Sequence, residues 1–217
     1  MHRRTVIGAA LAAPALLGSA AQAQTRLRWA HVYETNEPYH TQAVWAAQQI
    51  QQRTNNRWAI EVFPASALGN EPTINQGLAL GTVDMIYTGV AFAGATYKPI
   101  AITNAPYALR DFDHFMAYRR SDLLQDMMGG YNRQTGNQAL ALTYYGERHV
   151  TANRSIMKPE DMRGMKLRVP QAPLFLMFTR SVGANATPIA FAEVYLALQQ
   201  GTVDGQENPL PTIEAKK

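Results

Sequence analysis

Apolar and polar residues alternate along this chain in short blocks that change period at regular intervals. Leu27-Arg28-Trp29-Ala30-His31 has strand character, and Glu34-Thr35-Asn36-Glu37-Pro38 breaks it with a polar stretch that opens a helix. Pro38 suits a first helical turn, where the missing N–H costs nothing. From Tyr39 to Thr54 the spacing of Ala43, Ala47 and Ile50 predicts a buried stripe with the glutamines outside. Trp58 to Phe63 then reads as a strand ended by Pro64, Glu71 to Leu80 as a helix capped by Gly81, and Val83 to Tyr87 as a further strand. This strand–helix–strand rhythm predicts a mixed or parallel sheet flanked by helices.

The rhythm recurs. Met165 to Pro170 is a second short strand ended by proline, and Phe191 to Gln200 is a helix followed by Gly201-Thr202-Val203-Asp204. Gly81-Thr82-Val83-Asp84 is the identical tetrapeptide in the same place after a helix. Glycine after a helix and valine in a strand are ordinary, but the matching strand-Pro element in both halves favours two lobes of similar units. Between them, Gln138 to Tyr145 reads as a strand running into Gly146, and the polar stretch Glu147 to Asn153 suits a crossing that acts as a hinge.

The N-terminus sets a compartment. Met1-His2-Arg3-Arg4-Thr5 is a positive start, Val6 to Leu17 is apolar or small, and Ala21-Gln22-Ala23 is a small-x-small cleavage site, the pattern of a secretory signal peptide over 1–23. The paired arginines also admit twin-arginine export. The expected organisation is therefore a leader over 1–23, a first lobe over 24–145 and a second over 146–217. The 217 residues hold 20 Lys or Arg and 16 Asp or Glu; removing Arg3 and Arg4 leaves 18 against 16, a net charge of +2 with no basic run. That excludes a nucleic-acid surface, which needs a clustered basic face, and is compatible with an anionic small molecule. With no cysteine there is no disulfide, thiolate metal site or Cys nucleophile.

Catalytic signatures are absent from the sequence. His2, His31, His40, His114 and His149 lack metal-ligand spacing, and there is no nucleophile elbow, phosphate loop or dinucleotide fingerprint. No cofactor is expected, and the reading is of a binding protein rather than an enzyme. Binding residues are easier to find. In Lys166-Leu167-Arg168-Val169, alternation puts Lys166 and Arg168 on one side of the strand. Arg168 stands just before the strand ends, where its guanidinium fork could hold a carboxylate, although a half-exposed surface arginine has the same pattern. Arg148 has the same two readings. Asn208 before Pro209 fits a helix N-cap and, equally, an amide that bonds a ligand. Phe191, Tyr87 and Phe92 could wall a pocket or fill a core.

Gly164-Met165-Lys166-Leu167-Arg168-Val169-Pro170, Gly183-Ala184, Pro188 and the long run Phe191 to Pro209 resemble the signature of the DctP-type solute-binding proteins of TRAP transporters. Phe63-Pro64, Leu68-Gly69 and the first Gly-Thr-Val-Asp extend the likeness over the mature chain. The resemblance implies an α/β, two-lobed periplasmic binding fold that closes on an organic acid and delivers it to a membrane permease driven by an ion gradient. It also implies that Arg168 is the carboxylate clamp, with Arg148 a second arginine, Asn208 a ligand-binding amide and Phe191 a pocket aromatic. Sialic-acid-binding relatives carry a Glu and an Arg after the first-lobe strand. Here the segment Tyr87 to Phe92 is uncharged, so their sugar contacts do not carry over. The family pattern implies a further portion beyond Lys217 that returns to the first lobe, and marginal stability without it. A sensor subunit presenting the same ligand to a receptor, or an enzyme acting on an organic acid, are the alternative classes.

Overall fold

The computed structural model describes residues 23–216; the leader and its cleavage site fall almost entirely outside them. Two sheets form. The first takes β1 (Thr25–Ala30), β2 (Trp58–Phe63) and β3 (Met85–Ile86) in the order β2-β1-β3, all parallel. Helix α1 (Pro38–Arg53) connects β1 to β2 and α2 (Glu71–Leu80) connects β2 to β3. Ala43 and Ala47 of α1 are buried as the spacing predicts, and Ile50 is half-buried. The strand expected over Val83 to Tyr87 shortens to two residues, because only Met85 and Ile86 pair with β1.

A helical stretch follows, with α3 (Val90–Ala93), α4 (Phe112–Arg119) and α5 (Asp122–Thr135). The second sheet has β4 (Arg148–Ala152), β5 (Lys166–Val169), β6 (Asn185–Pro188) and β7 (Gly205–Pro209) in the order β4-β7-β5-β6. Only β4 runs antiparallel, against β7. The short helices α6 (Leu176–Ser181), α7 (Val194–Gln199) and α8 (Leu210–Ala215) complete it. The expected α/β, two-lobed architecture of sheets flanked by helices is what the chain adopts.

Three local readings change. Gln138 to Tyr145 is not a strand: it finds no ladder partner among the described residues, and Leu140 is exposed. A run of strand-forming residues cannot by itself supply the neighbouring strand that a ladder needs. The polar stretch after it does pair, as β4. Asn208 is not an N-cap; it lies inside β7 opposite His149, and α8 begins only at Leu210 after Pro209.

The repeated tetrapeptide is one structure built twice. Gly81 and Gly201 adopt left-handed conformations with φ of 68° and 67°, which a residue with a Cβ resists. The Asp84 carboxylate accepts from Arg28 N–H at 2.7 Å, and that of Asp204 accepts from Lys166 N–H at 2.8 Å. Arg28 Nη2 reaches Gly81 O at 2.7 Å, and Lys166 Nζ reaches Gly201 O at 3.1 Å. Each aspartate thus ties its loop to a central strand, one residue before that strand's pairing with the strand after the loop begins. The equivalence sets a register: β1–β3 pairs Trp29 with Met85 and Ala30 with Ile86, and β5–β7 pairs Leu167 with Gly205 and Arg168 with Gln206. Arg168 therefore stands in the second sheet where the first sheet has the buried core residue Ala30.

The two sheets share apolar material. Phe191 and Val194 pack with Ala30, Val32, Ile74 and Val83 of the first sheet's core, and Ala91 and Phe92 pack with Ala172, next to Leu174 and Phe175. Both clusters lie beside the gap between the sheets and hold its walls. Replacing either aspartate strands a backbone N–H, so Asp84→Ala and Asp204→Ala are each expected to cost about 1–2 kcal/mol in urea unfolding. A large loss from one and none from the other would contradict the equivalence.

Candidate functional site

Parallel strands collect the ends of their loops at one edge, and the gap outside their carboxyl ends is where open α/β sheets bind ligands. A narrow cleft of about 60 Å³ lies there. Val32 and Tyr33 follow β1, Glu71 opens α2, Gly89 and Phe92 follow β3, and Arg168 and Pro170 close β5. Phe175, Phe191, Asn208, Pro209 and Thr212 come from the second half, with Tyr145 and Arg148 from the entry into β4.

Arg168 is the group that the fold has to accommodate. Its neighbours Leu167 and Val169 are buried on the opposite face of β5 and Arg168 itself is only 1% exposed, so the strand is covered on both faces. Its Nε donates to Ile189 O at 2.9 Å, and its Nη1, also buried, has no acceptor in the protein. The Phe191 ring lies 6.0 Å from the guanidinium carbon. Burial pulls the guanidinium down to about 10; Glu71 and Glu207 oppose that and Arg148 adds to it. It still carries its charge at neutral pH. A buried charged donor without an acceptor costs more than the roughly 1–3 kcal/mol of a neutral one, and a carboxylate in the cleft would remove that cost.

Arg148 is already satisfied. It pairs across β4 with Pro209, which places Glu207 diagonally on the same face. Arg148 Nε bonds Glu207 Oε2 closely, Nη2 reaches Glu207 Oε1 at 3.0 Å, and Nη2 also reaches Glu207 O at 2.8 Å and Asn208 Oδ1 at 3.2 Å. The Phe175 ring supports the guanidinium at 5.0 Å. Asn208 Nδ2 donates to Gln206 Oε1 at 2.6 Å, and Gln206 Nε2 to Thr151 Oγ1 at 2.8 Å. This network fixes Asn208 and Arg148 in place.

Four of the residues picked from the sequence, Arg168, Arg148, Asn208 and Phe191, therefore meet in one cleft. Tyr87 does not line it; it stacks on Tyr39 at 5.0 Å and packs against Trp29 at 4.8 Å just behind the β1–β3 edge. Phe92 does line it. The sequence reading missed Glu71, Tyr33, Tyr145 and Thr212. Glu71 has the ordinary look of an acid in a helix's first turn, and only the loop's position after β2 could have flagged it.

Behind the cleft, Glu37 is fully buried between Tyr145 and Thr212. Its carboxylate accepts a short bond from Tyr145 Oη, one from Thr212 Oγ1 at 2.7 Å and one from Glu34 N–H at 2.8 Å. Tyr145 stacks face to face on Tyr39 at 3.9 Å, and burial, followed by the bond to Glu37, holds its hydroxyl well above the usual range. Lys216 reaches Glu34 and sits 4.9 Å from the Phe191 ring. One buried acid thus joins the start of α1, the approach to β4 and α8. His31 and His40, unrelated in sequence, meet with Nε2 and Nδ1 3.3 Å apart.

These features define a two-lobed binding protein whose cleft offers a buried cation. Residues 29–217 match the bacterial extracellular solute-binding protein family 7, the DctP family, and the chain belongs to it. A solute-binding protein of Roseobacter denitrificans is 36% identical over 203 residues, 93% of this chain and 62% of that protein. The sialic acid-binding periplasmic protein of Vibrio cholerae is 35% identical over 178 residues, 82% of this chain and 56% of its own length. A crystal structure of a TRAP periplasmic solute-binding protein from Roseobacter denitrificans with bound L-galactonate superposes with a TM-score of 0.83 at 34% identity, covering 88% of this chain and 63% of that one. This chain thus spans a little over half to about 63% of the length of these relatives, all of them solute-binding proteins rather than enzymes. Among the described residues no helix is long and apolar enough to cross a membrane.

His31 generates a pH prediction. Burial, reinforced by His40, lowers it to about 4 from 6.5, so the folded state resists a proton that the unfolded chain accepts. Stability present above pH 6.5 is lost as pH falls from 6.5 toward 4, by roughly 3 kcal/mol. Urea unfolding at several pH values should show this slope, and His31→Gln should flatten it. An unchanged slope in the variant would place the proton uptake elsewhere.

Proposed function

We propose that this chain is the extracytoplasmic solute-binding subunit of a TRAP transporter. It is exported by its N-terminal leader, captures a small organic acid between two lobes meeting near residues 145–146, and passes it to the membrane permease subunits. The ligand carboxylate docks on Arg168, with Arg148 and Asn208 beside it and Phe191 under the guanidinium. The lobes hinge about the segment around Tyr145, and closure removes the charge pair from water. Tyr87 acts from behind the wall, through Tyr39, rather than by touching the ligand.

The observation that carries this reading is the buried Arg168 Nη1 with no protein acceptor, at the carboxyl end of a parallel strand. A charged donor there is costly to keep, and an anion is the partner that offsets the cost. Support comes from the relatives, since L-galactonate and sialic acid, named for two of them, are both carboxylates.

Hydrogen bonds to charged groups contribute roughly 1.5–3 kcal/mol, and truncating one partner of a buried pair costs about 2–5 kcal/mol. Arg168→Ala is therefore expected to weaken binding of the acid by at least about tenfold in calorimetry. Unchanged affinity would take Arg168 out of the site and remove the reading's physical basis.

A further inference from the structure

Glu37 is a buried acid that neither the cleft nor helix α1 uses. It stands at the N-cap of α1, a position whose side chain ordinarily accepts from a helix N–H, but its carboxylate makes no such bond. It is fully buried and does not line the cleft. Among the described residues no Lys, Arg or His nitrogen lies within 4.0 Å of it. An acid buried without a cation is costly unless donors are aimed at it, and here three are. Oε1 accepts from Glu34 N–H at 2.8 Å, and Oε2 accepts from Thr212 Oγ1 at 2.7 Å and closely from Tyr145 Oη.

Tyr145 and Thr212 both line the cleft, and they belong to different pieces of the chain. Tyr145 ends the segment that leads into the second sheet, Thr212 lies in α8 behind β7, and Glu37 opens α1 of the first sheet. Rotation of one lobe about the segment around Tyr145 leaves the Glu37–Tyr145 bond near the axis and carries Thr212 away from Glu37. The Thr212 bond is thus conditional on closure, while the Tyr145 bond anchors the pivot. Lys216, one turn beyond Thr212, pairs with Glu34, so α8 is fastened twice to the loop before α1. Elsewhere between the lobes Asn70 Nδ2 reaches Gln171 Oε1 at 3.3 Å, and the cleft is narrow, which marks this arrangement as the closed one. Opening would strip a donor from an acid that has no cation, and closing restores it.

We infer that Glu37 is a positioning residue for ligand capture: without touching the ligand, it latches the closed lobes by accepting from Tyr145 and Thr212, and so lengthens the residence of the bound acid. This rests on capture by closure about the segment around Tyr145, and the test separates the two. A thermal-shift screen of galactonate, succinate, pyruvate and N-acetylneuraminate on the purified chain selects the probe. Stopped-flow tryptophan fluorescence then measures its association and dissociation rates in the wild-type chain and in each variant.

A latch acts after encounter, so Glu37→Ala should speed dissociation at least about tenfold and leave association within about threefold. Tyr145→Phe and Thr212→Val should each speed dissociation at least about threefold alone and add nothing in Glu37→Ala, since both act through one acceptor. Glu37→Gln, which keeps the volume and one acceptor, should fall between wild type and Glu37→Ala. A purely structural role would lower the fraction of chain that binds, read as calorimetric stoichiometry, and leave the dissociation rate alone. Where circular dichroism shows Glu37→Ala unfolded, Glu37→Gln takes its place in the cycle. Dissociation unchanged in the Glu37 variants, while Arg168→Ala abolishes binding, overturns the latch and leaves the clamp standing. Equal effects of Tyr145→Phe and Thr212→Val with and without Glu37 also overturn it, because those side chains would then act on the ligand directly. Binding of none of the acids to the wild-type chain would remove the capture reading, and the role of Glu37 with it.

Discussion

A buried arginine at the end of a central strand is the constraint around which this molecule is organised. The first sheet solves the equivalent position with Ala30, which packs into a core and needs nothing further. The second sheet puts Arg168 there, at 1% exposure, and must then supply what the charge requires. It supplies one backbone carbonyl, from Ile189, and an aromatic face, from Phe191. Those are too few for a guanidinium with five donors, so part of its demand is directed into the cleft. On the proposed reading, stability and function conflict at this residue, as expected where a binding site is built into a core.

The rest of the arrangement keeps that cation from being neutralised by the wrong partner. Glu207 is the nearest strand-borne acid, and it is fully engaged by Arg148, whose position opposite Pro209 makes the diagonal contact. Asn208 is held in turn by Gln206 and Arg148, so its amide is oriented before any ligand arrives. Preorganisation of this kind lowers the ordering cost on binding. On the first-lobe side, the Glu37 junction draws Tyr145 and Thr212 together behind the cleft. The segment that crosses between the sheets is therefore tied to the start of α1 as well as to α8.

Much of the fold was legible because it is written locally. The glycine–threonine–valine–aspartate loop closes its first turn locally, Thr82 N–H on Gly77 O and Thr202 N–H on Ala197 O, before its aspartate reaches the neighbouring strand, and identical letters gave the same geometry in both halves. Arg168 was legible as a candidate from its place before Pro170, but not its burial: strand alternation says that Lys166 and Arg168 share a face, and only the covering of that face by Phe191 and its neighbours makes one exposed and the other buried. Asn208 misled because an Asn-Pro pair favours a helix start, while the antiparallel partner β4, some sixty residues earlier, decided for a strand. Gln138 to Tyr145 misled for the opposite reason, having strand-forming residues such as Thr143, Tyr144 and Tyr145 and no partner strand for them. Glu71 and Tyr33 were invisible as site residues because what unites them with Arg168 is the shared edge of two sheets, which no spacing along the chain encodes.

The position of the ligand carboxylate relative to Arg168 is decided by a crystal structure of this chain grown with a small organic acid. A carboxylate oxygen should lie within about 3 Å of Arg168 Nη1, with the Arg148–Glu207 pair intact beside it. Ligand density elsewhere, or a carboxylate gripped by Arg148 after Glu207 has let go while Arg168 Nη1 stays apart from it, would rule out the Arg168 clamp.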